Sequence, residues 1–239
     1  MYFTFKLKRP VLGLAAVGIA LLAVLALLSL FIFKKEPLPS SSTSQLHTLV
    51  IDPGHGGMDG GAVAFNGVKE SDINLATALK LRALAVFYGA DSIMTRQDDV
   101  SLCSSDSYSE RKDLENRAAI VSSAPAPVLI SIHQNFFPTS QPSGPQVLYS
   151  ENGHSDSLGH ITHNNLLSAL APGSRRVAGP ASKDLYVLNS VSCPAILVEC
   201  GFMSNPAELE KLMDTNYQKK MASILMASYL QYSSGLDAA

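Results

Sequence analysis

The longest apolar run of the chain lies close to its N-terminus. Residues 11–33 include no charged side chain, and basic residues border the run on both sides. A helix of these 23 residues, rising about 1.5 Å per residue, is long enough to span a hydrocarbon core of about 30 Å. A cleaved signal peptide has a shorter apolar region and small residues at its cleavage site, whereas this run ends in Phe33-Lys34-Lys35. We therefore expect an uncleaved transmembrane signal anchor at residues 11–33, with secretion after signal cleavage as the alternative.

The segments on either side of this run differ in composition. Residues 1–10 form a basic N-terminal segment, and the positive-inside rule then places the N-terminus inside and the rest of the chain outside the membrane. Residues 34–46 are rich in Pro and Ser and are typical of a tether, because such a composition cannot bury a core. The pattern predicts a membrane-anchored protein with an extracytoplasmic globular part.

From residue 47 onward, short apolar runs alternate with amphipathic stretches. The predicted strands are 49–51, 90–95, 127–133, 144–150, 184–189 and 195–200. The predicted helices cover about 72–87, 110–122 and 155–171, a helix starting at Asn205-Pro206, and a helical C-terminal region. This alternation predicts a single α/β domain at residues 47–232, followed by a tail at 233–239. Its sheet should be twisted and mostly parallel or mixed, with about six strands and helices on both faces.

Two helices carry specific expectations. In the first, Ser71 or Asp72 is a plausible N-cap. One face of that helix is apolar and is expected to pack on the core; its members are Ile73, Ala76, Leu79, Ala83 and Val86. In the helix at 155–171, His160 and His163 lie among polar residues and are expected to face solvent.

Charge and cysteine content exclude some classes of function. The net charge of −2 gives no electrostatic case for nucleic acid as a partner. Cys103, Cys193 and Cys200 show no C-x-x-C spacing, so a thiolate zinc site is not expected. Cys200 follows a buried apolar run and is expected to be a free thiol, although a Cys193–Cys200 disulfide outside the cell stays open.

Four side chains that can carry chemistry lie at strand ends or beside a helix start. His55 follows the first strand in a glycine-rich turn, His133 ends the third, and Glu199 lies near the end of the last. Glu70 immediately precedes the first helix, where a carboxylate is favoured by the helix dipole. Two imidazoles and a carboxylate suit a catalytic zinc with an open fourth position, and a second carboxylate can then serve as a general base.

Each of these residues also has an ordinary explanation. His55 is compatible with an incidental place in a glycine-rich turn, and Glu70 with helix capping. Glu199 follows Ile196, Leu197 and Val198, and a carboxylate in such a strand costs several kcal/mol unless it is paired or metal-linked. A structural ion pair is therefore the alternative for Glu199.

Four ordered motifs resemble the zinc-dependent N-acetylmuramoyl-L-alanine amidases of the amidase-3 type. The motifs are Val50 to Gly57, then Glu70, then Ser131-Ile132-His133 with Asn135, then Val198 to Asn205, and the resemblance covers residues 48–232. It implies one zinc ion held by His55, Glu70 and His133, with Glu199 as the catalytic carboxylate. It also implies a zinc amidohydrolase that cuts the amide bond between N-acetylmuramic acid and L-alanine in peptidoglycan.

An anchor, a short tether and a bare catalytic domain look most like the germination-specific spore-cortex enzymes of this type. The resemblance then implies a role in forming muramic-δ-lactam or in cell-wall remodelling, at the cell envelope or in the space between forespore and mother-cell membranes. Other candidates are a membrane-anchored, non-catalytic peptidoglycan-binding protein and a metallopeptidase that cuts within the stem peptide. An accessory protein is also open.

Three positions near the motifs need separate mention. Asn135 is a candidate substrate-binding residue, and Arg96 and Asn205 could line the same groove or serve as caps. Gln134 departs from the small residue usual in the family and is expected to narrow the mouth of the site. The polar stretch 97–108, which contains Cys103, is expected to be an irregular loop.

Overall fold

The computed structural model describes residues 47–236. The apolar run at 11–33 and the tether at 34–46 lie outside the described residues. Within the described range, no helix combines the length and apolar character that crossing a membrane requires.

A six-stranded sheet forms the centre of the domain. Its strands are β1 (Thr48–Pro53), β2 (Ser92–Met94), β3 (Pro127–Asn135), β4 (Gln146–Tyr149), β5 (Gly179–Pro180) and β6 (Ala195–Phe202). They are arranged in the order β2-β1-β3-β6-β4-β5. All neighbouring pairs are parallel except β4 and β6. The prediction of one α/β domain with a mostly parallel, mixed sheet is confirmed.

Helices cover both faces of this sheet. They are α1 (Glu70–Phe87), α2 (Glu110–Ser123), α3 (Ser155–Leu170), α4 (Tyr186–Ser190), α5 (Pro206–Met213) and α6 (Thr215–Leu236). The larger core lies between the sheet and α1, α3, α5 and α6. The smaller core lies between the opposite face and α2 and α4. The last helix continues past residue 232, to Leu236.

The alternation of side chains along the central strands determines where the functional site can lie. In β3, Ile130 and Ile132 point into the larger core, while Leu129 points into the smaller one. Because side chains alternate between faces, Ser131 and His133 share the face of Leu129. Within residues 47–236, the helices packed on that face are α2 and the short α4, and a cleft opens beside them at the C-terminal edge of the sheet.

Residues 184–189 were predicted as a strand and this was wrong. Tyr186–Ser190 forms α4, and the remaining strand is instead the two-residue β5. Val187 and Leu188 are buried in the smaller core. A short apolar run does not distinguish a strand from one turn of buried helix, so tertiary packing decided the conformation.

α1 starts two or three residues earlier than predicted. Its N-cap is Lys69, and Glu70 already belongs to the first turn. The Glu70 amide donates to the carbonyl of Ala62 at 2.8 Å and the Ser71 amide to that of Gly60 at 3.2 Å. The preceding loop therefore satisfies helix-start amides that a capping side chain would otherwise satisfy.

The predicted apolar face of α1 is confirmed at Ile73 and wrong for most of its other members. The buried face carries Ile73, Ala78, Leu81 and Ala85 together with the polar Asn74 and Thr77, whereas Leu79, Ala83 and Val86 are exposed. The helix has two apolar faces. Because the buried face also contains polar residues, the sequence pattern favoured the other face. The prediction that His163 faces solvent is wrong as well, since it is 2% exposed and its Nε2 lies 3.0 Å from the Arg176 carbonyl. His160 is exposed as predicted.

Candidate metal centre and catalytic cleft

Three predicted ligand side chains converge at the C-terminal edge of the sheet. One donor atom from each of His55, Glu70 and His133 lies within 4.8 Å of the other two. Glu70 Oε1 is 3.0 Å from His133 Nδ1, and its Oε2 is 3.3 Å from His55 Nε2. The turn after β1, the first turn of α1 and the end of β3 supply one ligand each.

Neighbouring groups fix the orientation of these side chains. Asp59 Oδ2 lies 2.6 Å from His55 Nδ1, which directs the Nε2 of that ring toward Glu70. Glu70 accepts hydrogen bonds from the amides of Gln134 and Ala62, and from Asn74 Nδ2. A ligand whose second atom is hydrogen-bonded is held in one rotamer and, for histidine, in one tautomer.

The electrostatics of the cluster favour positive charge between the three side chains. Burial alone would lower the pKa of His55, but hydrogen bonds to Asp59 and Glu70 raise it to about 10. Burial would raise the pKa of Glu70, yet the hydrogen bonds and charges of His133 and His55 hold it well below its usual range. A cation placed between these groups would take over the interaction that the protons now provide.

The donor set and the space around it fit a zinc ion. Two imidazole nitrogens and a carboxylate oxygen are common ligands of a catalytic zinc that keeps one open position. Two glycines provide the room. A Cβ on Gly54 would lie 2.1 Å from His133 Nε2, and a Cβ on Gly61 would lie 2.7 Å from both Glu70 Oε2 and His55 Cδ2. The glycine loop therefore makes space for the ligands themselves.

Glu199 lies directly opposite His133 across the parallel pair of β3 and β6. Among the described residues, its Oε2 is buried without a hydrogen-bond partner. Burial raises the pKa of this carboxyl to about 7, although the charge of His133 opposes the increase. Glu199 is therefore not part of the structural ion pair considered as the alternative, and it is free to exchange a proton with a bound molecule.

A cleft with a volume of about 260 Å³ opens beside these groups. The start of α2 forms one wall with Glu110 and Leu114, and residues 184–188 around α4 form the other. His55, His133 and Glu199 line its base. The segment 184–189, predicted as a strand, thus forms part of the cleft wall that a substrate would contact.

Arg117 connects the cleft floor to the metal-site turn. It is 2% exposed, and its Nη1 lies 2.7 Å from Asp52 Oδ1 while its Nε lies 2.7 Å from Asp113 Oδ2. It also donates to the carbonyls of Pro53 and His55, at 2.9 and 2.6 Å. Asp52 accepts further hydrogen bonds from the hydroxyls of Thr95 and Ser131.

Arg96 holds the same turn from the opposite side. Although a place in the groove was considered for it, Arg96 is 3% exposed and donates to the carbonyls of Pro53, Gly54 and Ser71. The turn needs this support because His55 has a φ of 61°, a left-handed conformation that costs a non-glycine residue free energy. Sequence analysis missed Arg117, for which the Asp113–Arg117 spacing of four on a helix was the available indication.

The other predicted residues lie at the edges of the site. Asn205 caps α5, where its side chain accepts from the amides of Ala207 and Glu208. Gln134 does not narrow the mouth: it is 3% exposed and its side-chain amide donates to Asn74 Oδ1, on the opposite face of the sheet from the cleft. The Asn135 carbonyl accepts from the Met203 amide at 2.8 Å, and a substrate contact by Asn135 stays a prediction.

The irregular loop at 97–108 has a structural role. Its Asp99 accepts from the Gly57 amide and its Ser101 hydroxyl accepts from the Met58 amide, so the loop closes over the glycine turn. The three cysteines are all free, including buried Cys200, and no Cys193–Cys200 disulfide is present.

The sequence and the fold are similar to those of known proteins. The model of the N-acetylmuramoyl-L-alanine amidase family matches residues 49–228. The germination-specific N-acetylmuramoyl-L-alanine amidase of Bacillus subtilis (strain 168) is 34% identical over 189 residues, which are 77% of this chain and 78% of the relative. The CwlD amidase of Clostridioides difficile, solved in complex with the GerS lipoprotein, is 35% identical with a TM-score of 0.74, over 79% of this chain and 98% of that one. The amidase AmiC2 of Nostoc punctiforme is 30% identical with a TM-score of 0.68, over 79% and 98%.

Proposed function

The chain belongs to the N-acetylmuramoyl-L-alanine amidase family, and from this premise we propose how its site residues divide the reaction. The activity is the zinc-dependent hydrolysis of the amide bond between N-acetylmuramic acid and L-alanine in peptidoglycan. One observation carries the assignment of roles: three donor atoms within 4.8 Å of one another face a cleft in which a buried carboxylate has no partner of its own.

His55, Glu70 and His133 are the zinc ligands in this proposal. Zinc held there supplies Lewis-acid polarisation of the carbonyl under attack. Glu199 accepts a proton from the attacking water and passes it to the L-alanine nitrogen as the carbon–nitrogen bond breaks. Its unpartnered Oε2 supports this role, because a carboxylate that served only the fold would be paired.

Digestion of purified peptidoglycan distinguishes the candidate functions. Products are identified by mass spectrometry after incubation with the zinc-loaded chain. The amidase releases stem peptides that begin with L-alanine and leaves muramic acid intact. Shortened stems would indicate a metallopeptidase that cuts within the peptide, and bound zinc without any release would indicate a non-catalytic binding protein.

We further propose that the substrate in the cell is the spore cortex. The support is the 34% identity to the germination-specific amidase, over 78% of that relative. Expression of this chain in a Bacillus subtilis strain that lacks the relative tests the idea. Restored muramic-δ-lactam in the cortex supports a cortex role, whereas activity on peptidoglycan without restored lactam favours general wall remodelling.

The anchor and the accessory protein belong to the same proposal. Residues 11–33 form the transmembrane signal anchor and residues 34–46 the tether, so that the catalytic domain acts outside the cytoplasmic membrane. The sequence composition supports this placement. The complex of the Clostridioides difficile relative with a lipoprotein raises an accessory protein as a candidate partner. Full activity of the isolated chain with zinc alone would show that no such partner is required.

A further inference from the structure

The outward face of α1 carries an apolar stripe that the fold does not use. We call the α1 stripe the set Leu79, Ala83, Val86, Phe87 and Tyr88. Leu79, Val86, Phe87 and Tyr88 have exposed fractions of 41%, 69%, 79% and 57%. Spacings of four, seven and eight residues from Leu79 place the first four on one side of the helix. The Phe87 and Tyr88 rings contact each other edge to face, with centroids 5.3 Å apart.

The stripe is distinct from the face that holds the domain together. The opposite side of α1 supplies Ile73, Ala78, Leu81 and Ala85 to the larger core. A soluble monomer rarely exposes contiguous large apolar side chains of this kind, and such patches are typical of interaction surfaces.

Basic side chains border the stripe on both sides. Lys80 and Arg82 lie about 100° and 60° away from Leu79 around the helix, on opposite flanks. Lys80 Nζ donates to the Ala76 carbonyl and to Gln218 Oε1, and Arg82 Nη1 donates to Gln97 Oε1. These contacts hold both positive charges beside the stripe, where basic residues lie in helices of a membrane interface. The pattern of apolar stripe and basic flanks matches an anionic lipid surface in charge as well as in hydrophobicity.

The place of the stripe in the fold puts it close to where the tether joins. After α1, the Ala90 amide donates to the Ala85 carbonyl, and the Leu49 amide donates to the Asp91 carbonyl. The end of α1 therefore adjoins the start of β1, where the domain begins. Thirteen residues (34–46) separate the proposed anchor from the domain, and 13 fully extended residues reach at most about 45 Å. The start of β1, and with it the end of α1, would therefore stay within that distance of the bilayer, where even a weak lipid contact is favoured.

We propose that the α1 stripe, led by Val86, Phe87 and Tyr88, inserts into the lipid interface of the membrane to which the chain is anchored. This inference rests on the proposed anchor. Glu70 lies at the other end of α1, about 25 Å away along the helix. Docking through the C-terminal end of α1 therefore points the catalytic cleft away from the bilayer, toward the cell wall or cortex.

The absence of tryptophan from the sequence allows a direct test. Phe87→Trp introduces a single fluorescent reporter in the stripe, and Phe65→Trp is the matched control. Phe65 is 76% exposed but lies in the loop between β1 and the start of α1. The full chain is reconstituted into vesicles of phosphatidylcholine and phosphatidylglycerol, and flotation on a density gradient confirms anchoring. We expect the emission of Phe87→Trp to be blue-shifted and quenched when brominated lipid is included, and that of Phe65→Trp to show neither change.

The outcomes separate the stripe from the anchor. Flotation without quenching of Phe87→Trp overturns the stripe proposal and leaves the anchor intact. Failure of the chain to float refutes the anchor, and the stripe proposal is overturned with it. A blue shift that depends on protein concentration without lipid would show that a second copy covers the stripe, which also overturns the lipid assignment.

Discussion

At the scale of single residues, two glycines leave the space in which the three candidate ligands meet. A Cβ on Gly54 would overlap the His133 ring, and one on Gly61 would overlap Glu70 and His55. The sequence indicated only a glycine-rich turn after the first strand. Its more specific role is to let three bulky ligands come within coordination distance of one point.

Gly54→Ala is expected to abolish zinc binding in the purified domain. The added methyl group would displace the imidazole of His133, and a shift of about 1 Å in a catalytic group can reduce the rate 10²-fold. Zinc content by atomic absorption and amidase rate give the two readouts. Gly173→Ala is the control, because a Cβ there meets open space. Normal zinc content in Gly54→Ala would show that the loop relaxes instead.

Glu199→Gln is expected to retain zinc and to lose activity by about 10²- to 10⁴-fold, since an amide cannot transfer the proton. The change keeps the size of the side chain in β6, so the fold should be preserved. His133→Ala serves as the contrasting variant and should lose the metal. Loss of zinc from Glu199→Gln would show that this residue is a ligand rather than a base.

Asp59→Ala is expected to weaken zinc binding by about 10- to 100-fold, because the carboxylate that fixes the His55 ring is removed. Asp59→Asn should recover part of the affinity, since an amide oxygen can still accept from Nδ1. Competition with a fluorescent chelator measures both affinities. Equal affinities for Asp59→Ala and the parent chain would rule out an orienting role.

The side chains that converge at the candidate site were predictable, whereas those that support them were not. Strand ends and motif order identified His55, Glu70, His133 and Glu199. Arg117 was missed because its partner carbonyls come from a turn that lies about 60 residues earlier in the chain. Every residue has a backbone carbonyl, so the sequence does not indicate which carbonyls accept from a given arginine. Only the folded structure shows this.

At the scale of secondary structure elements, the pair of Asp52 in β1 and Arg117 in α2 joins the sheet to the helix that walls the cleft. Burial would raise the pKa of Asp52, but Arg117 and the hydroxyls of Thr95 and Ser131 hold it below its usual value. A carboxyl with a depressed pKa in the folded state stabilises the fold above the unfolded pKa, which is about 3.9. That stabilisation is lost as the pH falls through the folded-state pKa.

Asp52→Asn is therefore expected to lower the free energy of unfolding by about 3 kcal/mol at pH 7, because the buried Arg117 guanidinium then keeps only Asp113 as a charged partner. The difference between variant and parent should shrink as the pH is lowered through and below 4. Urea unfolding followed by circular dichroism at several pH values measures it. Asp91→Asn, at an exposed position, is the control, and a gap that does not change with pH would contradict the assignment.

The two helices that were misjudged share one physical cause. Both α1 and α4 contain apolar residues at spacings that fit more than one packing arrangement. In α1, the need to place Glu70 at the metal centre and Asn74 beside it rotates polar residues into the interior. A functional requirement thus overrode the simple rule that the most apolar face is buried.

At the scale of the whole molecule, the ligands come from three elements that are distant in sequence, so zinc should stabilise the entire domain. Saturation at 100 times the dissociation constant adds about 2.7 kcal/mol, or roughly 5–10 °C in Tm for a domain of this size. Differential scanning calorimetry with zinc and with a chelator tests this. His133→Ala should show no such shift, and an unchanged Tm in the parent chain would mean that the site does not bind zinc at the concentration used.

The pairing of His133 with Glu199 across β3 and β6 has a consequence for engineering the domain. Their separation is a property of neighbouring strands, about 4.8 Å apart, and not of any loop. Connections such as 171–178 could therefore be lengthened or replaced without altering the distance between His133 and Glu199. A single residue inserted between Ala195 and Glu199 would instead turn the carboxylate to the opposite face of the sheet. We therefore expect activity to survive changes in such loops and to be lost when the register of β3 or β6 shifts by one residue.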